Sequence, residues 1–146
     1  MPTQYSLADF TVMVGTVSPA DVDVSCATGT LTEGADDNMV DGIPVACAPY
    51  PPQVWGGARF TVQIDGAADD NVTSGLGAFL RANHGQAGVL ELAPRDALNP
   101  KGLPSVAYDV AAWAWPAVTY PADGPAALST TAMPLADAPT YTAAGP

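Results

Sequence analysis

Residues 74–94 read SGLGAFLRANHGQAGVLELAP. Leu76, Phe79 and Leu80 stand at i, i+3 and i+4, the spacing of one apolar helical face. Arg81 and His84, the single histidine of the chain, follow in the last turn. Gly85 suits the left-handed backbone that ends a helix. Asn71, Thr73 and Ser74 precede the helix as candidate N-caps, with Asp69 and Asp70 where the helix dipole favours negative charge. At VLELAP the pattern switches to a period of two. A short helix running straight into a strand sets the expectation for the whole chain: β structure with one helix against it.

Outward from that stretch, the alternation holds in both directions. FTVMVGTV (10–17) puts Phe10, Val12 and Val14 on one face, and DVDVSC (21–26) puts Val22, Val24 and Cys26 opposite Asp21, Asp23 and Ser25. ARFTVQID (58–65) is the clearest strand, with Phe60, Val62 and Ile64 on one side and Arg59, Thr61, Gln63 and Asp65 on the other. SVAYDVAAWAWPAVTY (105–120) reads as a long apolar strand kinked at Pro116, with Trp113 and Trp115 sharing a face, and ALSTTAMPL (127–135) as the last strand. Residues 29–43, GTLTEGADDNMVDGI, hold Glu33, Asp36, Asp37 and Asp41 among turn-forming residues and predict a long acidic loop or loose hairpin. PYPPQVWGG (49–57), with three prolines and two glycines, predicts irregular structure, and RDALNPKGLP (95–104) a loop carrying Arg95 and Lys101. No internal repeat or linker divides residues 1–146, so a single domain is expected. Residues 1–9 read as an N-terminal arm and 143–146 as a C-terminal tail.

The charge balance narrows the function. Fifteen acidic against four basic residues give a formal net charge of −11. Proteins that hold DNA or RNA do so with cationic side chains that displace counterions from phosphate, and this chain lacks them. The same charge disfavours docking on an anionic membrane. No run of 18 or more uncharged apolar residues is present to span a bilayer as a helix. MPTQYSLADF lacks the basic and apolar regions of a signal peptide, so export by that route is not expected.

Candidate chemistry is sparse. Any Ser-His-Asp or Cys-His mechanism must use His84, yet no GxSxG elbow is present, and a histidine ending a helix has a plainer use against the free carbonyls there. Cys26 and Cys47 lie 21 residues apart in strand-like contexts, which suits buried reduced thiols; a disulfide stays open, since sequence alone does not show proximity. One histidine and two cysteines are too few for a closed zinc site. DDNMVDG (36–42) fits no register of an EF-hand loop. Asn71-Val72-Thr73 matches a glycosylation sequon but has no secretion signal beside it. GLG (75–77) lacks the preceding strand and remaining glycines of a dinucleotide fingerprint. Neither a cofactor nor a metal is expected, and the chain is not expected to be an enzyme.

The order of these segments resembles one family. SGLGAFLRANHGQAGVLELAP is similar to the helix-then-strand segment of the major tail (tail tube) proteins of long-tailed phages infecting actinobacteria. ALSTTAMPLADAPTYT (127–142) resembles the closing segment of that family, and VSCATGTLTEGADD and WGGARFTVQID fit upstream. The likeness covers most of residues 20–142 and rests on order and spacing. The chain departs from the pattern in its small, Ala-rich helix and in the prolines at 49–52.

What the resemblance implies is a β-sandwich or barrel flanked by one helix. The subunits form rings, usually hexamers, whose inner strands join into a continuous barrel, and the rings stack through a long loop and terminal arms. The expected partners are the chain itself and other tail proteins such as the tape measure, terminator and distal tail proteins. Double-stranded DNA passes through the channel without specific binding. The expected location is the virion tail, assembled in the host cytoplasm. A conduit should repel a cargo bearing a charge about every 1.7 Å of axis. Asp21, Asp23 and Asp65 are the candidate channel acids. Asp36, Asp37, Asp41, Trp55, Arg81 and His84 are the candidate contacts between subunits, with 29–57 the region expected to stack rings. The alternatives are a capsid decoration protein, a tail terminator, or a carbohydrate-binding β-sandwich using Trp55, Trp113 and Trp115.

Overall fold

The computed structural model describes residues 6–41, 46, 53–68 and 75–144, with the side chains of 40, 41 and 53–55 left aside. It contains ten strands and one α-helix among those residues. The strands are β1 (Phe10–Gly15), β2 (Val22–Asp23), β3 (Thr28–Asp41), β4 (Gln53–Ala67), β5 (Gly88–Pro94), β6 (Ser105–Val110), β7 (Ala117–Thr119), β8 (Ala127–Ser129), β9 (Met133–Pro134) and β10 (Thr140–Thr142). The helix α1 spans Leu76–Ala82, and a 3₁₀ turn at Leu7–Asp9 leads into β1.

Two antiparallel sheets face each other, an arrangement consistent with a β-sandwich. The first sheet has the order β10-β6-β5-β1-β2, and the second β3-β4-β8-β7, with β9 also on β4. The first sheet follows from clean alternation. β1 and β5 pair from Phe10↔Pro94 to Gly15↔Val89, and β5 and β6 from Gly88↔Val110 to Leu92↔Val106. In that register Val12, Val14, Leu90, Leu92, Val106, Tyr108 and Val110 all turn inward and are buried. Residues paired across a ladder share a face, so a one-residue slip would expose the whole set. Val62, Ile64, Leu128 and Met133 complete the core from the second sheet.

The helix has only seven residues, too few to hold itself in water, and its packing keeps it folded. Leu76 and Leu80 are fully buried, and Phe79 meets the Trp113 ring edge-to-face at 5.0 Å between centroids. The apolar face read at i, i+3, i+4 is therefore the one that closes the core. The helix begins after Gly75, which carries no side-chain cap; the candidate caps Asn71, Thr73 and Ser74, with Asp69 and Asp70, lie outside the described residues. Asn83 caps the other end, its amide donating to the Phe79 carbonyl at 2.9 Å, and the left-handed residue is Gly85 (φ 80°), two positions further on.

Four expectations need correction. The acidic stretch 29–43 is no loop: Thr28–Asp41 is a single strand pairing with β4 from Thr28↔Gly66 to Asp41↔Gln53. β4 likewise begins at Gln53, inside the stretch expected to be irregular. Gly, Asp and Asn disfavour strands when nothing pairs with them. Here residues 30–37 lie against ARFTVQID, the clearest strand of the sequence, and shifts in register between Thr28 and Thr30 and between Asp37 and Met39 absorb the misfit.

The long strand expected at 105–120 breaks after Val110, well before Pro116, and resumes at β7. Trp113 and Trp115 consequently do not share a face: Trp113 is 1% exposed and Trp115 56%. The cause is a set of hydrogen bonds outside the sheet, where Trp113 N–H donates to the Gln86 carbonyl and Gly85 N–H donates back to Trp113, both at 2.9 Å. Gly88 makes room for the indole, since a Cβ there would overlap the Trp113 ring and lie 2.6 Å from the Gly15 carbonyl oxygen.

Finally, Cys26 is exposed, because the alternation of DVDVSC stops at Val24 as the chain turns. That turn is fixed by Ala27 and Thr28 N–H groups donating to the Val24 carbonyl, each at 3.1 Å. Cys47 lies outside the described residues.

Candidate functional site

The β3–β4 hairpin is the feature that the core does not explain. Near its base it is well supported: β8 pairs with Asp65–Ala67, β9 with Thr61 and Val62, and the Leu135 N–H donates to the Phe60 carbonyl at 2.9 Å. Beyond Phe60, among the described residues, β4 pairs with β3 alone. Residues 53–60 therefore run on as half of a two-stranded ribbon, roughly 23 Å long at about 3.3 Å per residue. Residues 35–39 on the opposing strand are all exposed, and Met39 is 49% exposed. An open cleft of about 740 Å³ lies at the root of the ribbon, between Asp36, Arg59 and Phe60 on one side and Leu135 and Asp137 on the other.

Three of the candidate contact acids lie along this ribbon. Asp36 and Asp37 are exposed on β3, where Asp36 faces Arg59 and Asp37 faces Ala58, and Asp41 pairs with Gln53. Trp55 lies opposite Met39, and its side chain falls outside the description. Arg81 and His84 belong to a different surface, the C-terminal end of α1. The Arg81 guanidinium folds back over Gly77, to which an added Cβ would bring it within 3.3 Å, and His84 is exposed with its ring edge-to-face on Trp115 at 5.5 Å. The structure thus groups the contact candidates into two patches.

The channel candidates also separate. Asp23, on the edge strand β2, pairs with Met13 and shares the outer face of the first sheet. Its carboxylate accepts the Ser25 N–H at 2.9 Å, which holds its pKa below the ordinary 3.8. Asp21 is exposed in the turn before it. Asp65 belongs to β4, where it pairs with Thr30 and Ser129 and alternates with the inward Ile64, so it faces outward from the second sheet. Two acids that the sequence reading passed over do share the face of Asp23. Glu91 pairs with Met13 and Ala107, and Asp109 alternates with the buried Tyr108 and Val110. Glu91 also accepts the Ala20 N–H at 3.1 Å and the Ser18 hydroxyl at 3.2 Å, which ties the β1–β2 turn to the sheet. Their period-two spacing was legible in VLELAP and VAYDV.

A second missed group joins the two sheets. The Tyr108 hydroxyl, from β6, donates to Glu33 Oε2 of β3 at 2.9 Å, and the Tyr141 hydroxyl of β10 donates to the same oxygen. Burial, and after it the Glu33 carboxylate, raises the Tyr108 pKa far above the usual phenol value. Reading 29–43 as a loop hid this contact, because only a strand puts Glu33 on the face of Leu31.

The loop cations have local duties. Lys101 pairs with Asp9 at 3.1 Å and Arg95 donates to the Phe10 carbonyl at 3.1 Å, closing the 95–104 loop over the start of β1. The Ser6 N–H at 2.8 Å, and then Lys101, hold the Asp9 pKa below the ordinary 3.8. Among the described residues no three His, Cys, Asp or Glu side chains converge as metal ligands, and no helix is long and apolar enough to cross a membrane. No family model matches the chain, and no curated protein matches it.

Proposed function

We propose that the chain is a non-enzymatic structural protein of a phage virion, a tail tube subunit that assembles into stacked rings, usually hexamers, around a channel for DNA. The observation that carries this reading is the acidic β3–β4 ribbon. Among the described residues both edges of this ribbon are open; a two-stranded ribbon is marginal in water on its own, and open edges invite pairing with another chain. A ribbon of that length is a reasonable device for a subunit whose neighbours complete it. The resemblance of segment order to the tail tube proteins supplies the same role for this region, the stacking of rings.

The charge supports the second half of the reading. A net charge of −11 suits a wall that lets a polyanion pass without holding it. A channel wall made from one sheet can use Asp23 or Asp65 but not both, since they face away from each other on different sheets. We assign the wall to the outer face of the first sheet, where the acids Asp23, Glu91 and Asp109 lie among Thr11, Met13, Val89, Ser105 and Ala107. Joining of such sheets around a ring would complete the barrel that the tail tube fold requires. The carbohydrate-binding alternative loses its strongest feature, because Trp113 is buried and offers no face to a sugar.

Negative-stain microscopy of the purified chain at rising concentration tests assembly. Rings or tubes of uniform diameter are expected, and a monomer under every condition overturns the proposal. For the wall, tubes assembled from Asp23→Lys with Asp109→Lys should retain short duplex DNA that wild-type tubes release. Equal release by both would remove this face from the channel.

A further inference from the structure

Asp-Gly occurs three times in the chain, at Asp41-Gly42, Asp65-Gly66 and Asp123-Gly124, and this dipeptide has a chemistry of its own. The amide nitrogen that follows an aspartate can attack that residue's side-chain carboxyl and close a five-membered succinimide. A side chain on the following residue hinders the approach, and glycine has none. The ring closes only where the backbone can swing the nitrogen onto Cγ, so the fold decides which pair reacts. Gly42 lies outside the described residues. Asp65-Gly66 is locked inside β4, where Asp65 pairs with Thr30 and Ser129, and Gly66 with Thr28 and Leu128. The Ala27 carbonyl also lies over Gly66, where an added Cβ would overlap its oxygen. Asp123-Gly124 has none of these restraints. It lies in the turn between β7 and β8, where residues 120–125 are all exposed and belong to no strand. Among the described residues the Asp123 carboxylate takes part in no hydrogen bond or ion pair.

We propose that Asp123 is a site of spontaneous isomerisation to isoaspartate. The Gly124 nitrogen attacks Cγ of the protonated carboxyl. The C–N bond forms as the C–OH bond breaks, and the hydroxyl leaves with the amide hydrogen as water. Water then opens the ring. Addition at Cγ restores aspartate, whereas addition at the main-chain carbonyl carbon breaks its bond to nitrogen. The backbone then runs through Cβ and Cγ, and the α-carboxylate hangs free. One water leaves and one returns, so no other reactant is needed and the mass is unchanged. The turn gains one methylene in its backbone. Its ends stay fixed by the Thr119↔Ala127 pair and by the Ala68 N–H, which donates to the Ala126 carbonyl at 3.1 Å, so the core is undisturbed. The reaction uses only the chain's own turn and stands apart from the assembly reading.

The test is incubation of the purified full chain for several weeks in mildly acidic buffer. Digestion follows with a protease that cuts before aspartate but not before isoaspartate, and electron-transfer fragmentation places the product. Growing resistance of the 122–123 bond is expected, with no isoaspartate at Asp65 until urea unfolds the chain. Gly124→Ala should slow the reaction at least tenfold with the fold kept, because Gly124 does not have a left-handed backbone and a Cβ there meets only the Pro121 ring at 3.5 Å. Should that variant fail to fold, Asp123→Glu, at an exposed position, should show no isomer by fragmentation, since its carboxyl would have to close a six-membered ring. Equal accumulation at Asp65 and Asp123 in the folded chain, no accumulation at Asp123, or a rate that Gly124→Ala leaves unchanged overturns the proposal.

Discussion

The first sheet and the distal β3–β4 ribbon are built from the same antiparallel ladder, yet they are stabilised differently. In the three central strands of the first sheet, β1, β5 and β6, every second side chain is buried, and the helix and Trp113 close the remaining gap. In the ribbon the backbone also pairs, with one shift in register between Asp37 and Met39, but residues 35–39 stay in water and no third strand reaches past Phe60 among the described residues. Apolar burial at roughly 25 cal/mol per Å² drives the first region and is missing from residues 35–39 of the second. The lesson is that hydrogen-bonded strand and stable strand are separate properties. A ladder without burial points outward, to something that will cover it.

Perturbing each region should expose that contrast. The largest effect is expected from Trp113→Ala, which empties the space between helix and sheets and should cost about 3–5 kcal/mol in urea denaturation. A loss below about 1 kcal/mol would show that helix and sheets do not fold as one unit. Thr130→Val comes next. The Thr130 hydroxyl accepts the buried Ile64 N–H at 3.0 Å, and stranding that donor should cost about 1–3 kcal/mol with the fold unchanged by circular dichroism.

The third is a dependence on pH, acting where the two regions are tied together. The Tyr108 pKa is raised on folding, so its contribution is fully present below the unfolded value of 10.0 and is lost as pH rises beyond it. Phenolate absorbance should show a late-titrating phase, and Tyr108→Phe should remove both that phase and the accompanying alkaline loss of stability. Titration of all tyrosines together near pH 10.0 would mean the clasp on Glu33 does not persist in solution.

The smallest change in stability belongs to the ribbon. Asp36→Asn should alter it by no more than about 0.5 kcal/mol, as for other exposed positions. Self-association measured by sedimentation should change all the same. A variant that unfolds would place the ribbon within the cooperative core, and the comparison would collapse.

The parts that alternate cleanly were readable: β1, β5, the inner half of β4 and the apolar face of α1 all bury the residues that their periodicity selects. Where burial does not set the pattern, reading failed. β3 has no apolar alternation, and among the described residues its 35–39 stretch is exposed, so it resembled a loop. The same misreading concealed the hydrogen bond from Tyr108 to Glu33. Glu91 and Asp109 were visible in their strands but could not be joined to Asp23 before the pairing order was known.

By itself, then, the sequence determined the class of the protein, mainly β with one helix, along with its strong negative charge and the residues that one-sided strands must bury. Those properties are local, and side-chain period and charge report them directly. Only the tertiary structure decided which strands are neighbours, that Trp113 is buried while Trp115 is not, that Asp23 and Asp65 face apart, and that Glu33 meets two phenols across the sheets. Each of these depends on contacts between residues far apart in the chain, such as Glu33 and Tyr141, 108 positions distant. Hydrophobic periodicity tells a strand which face to bury, and it carries no address for the partner.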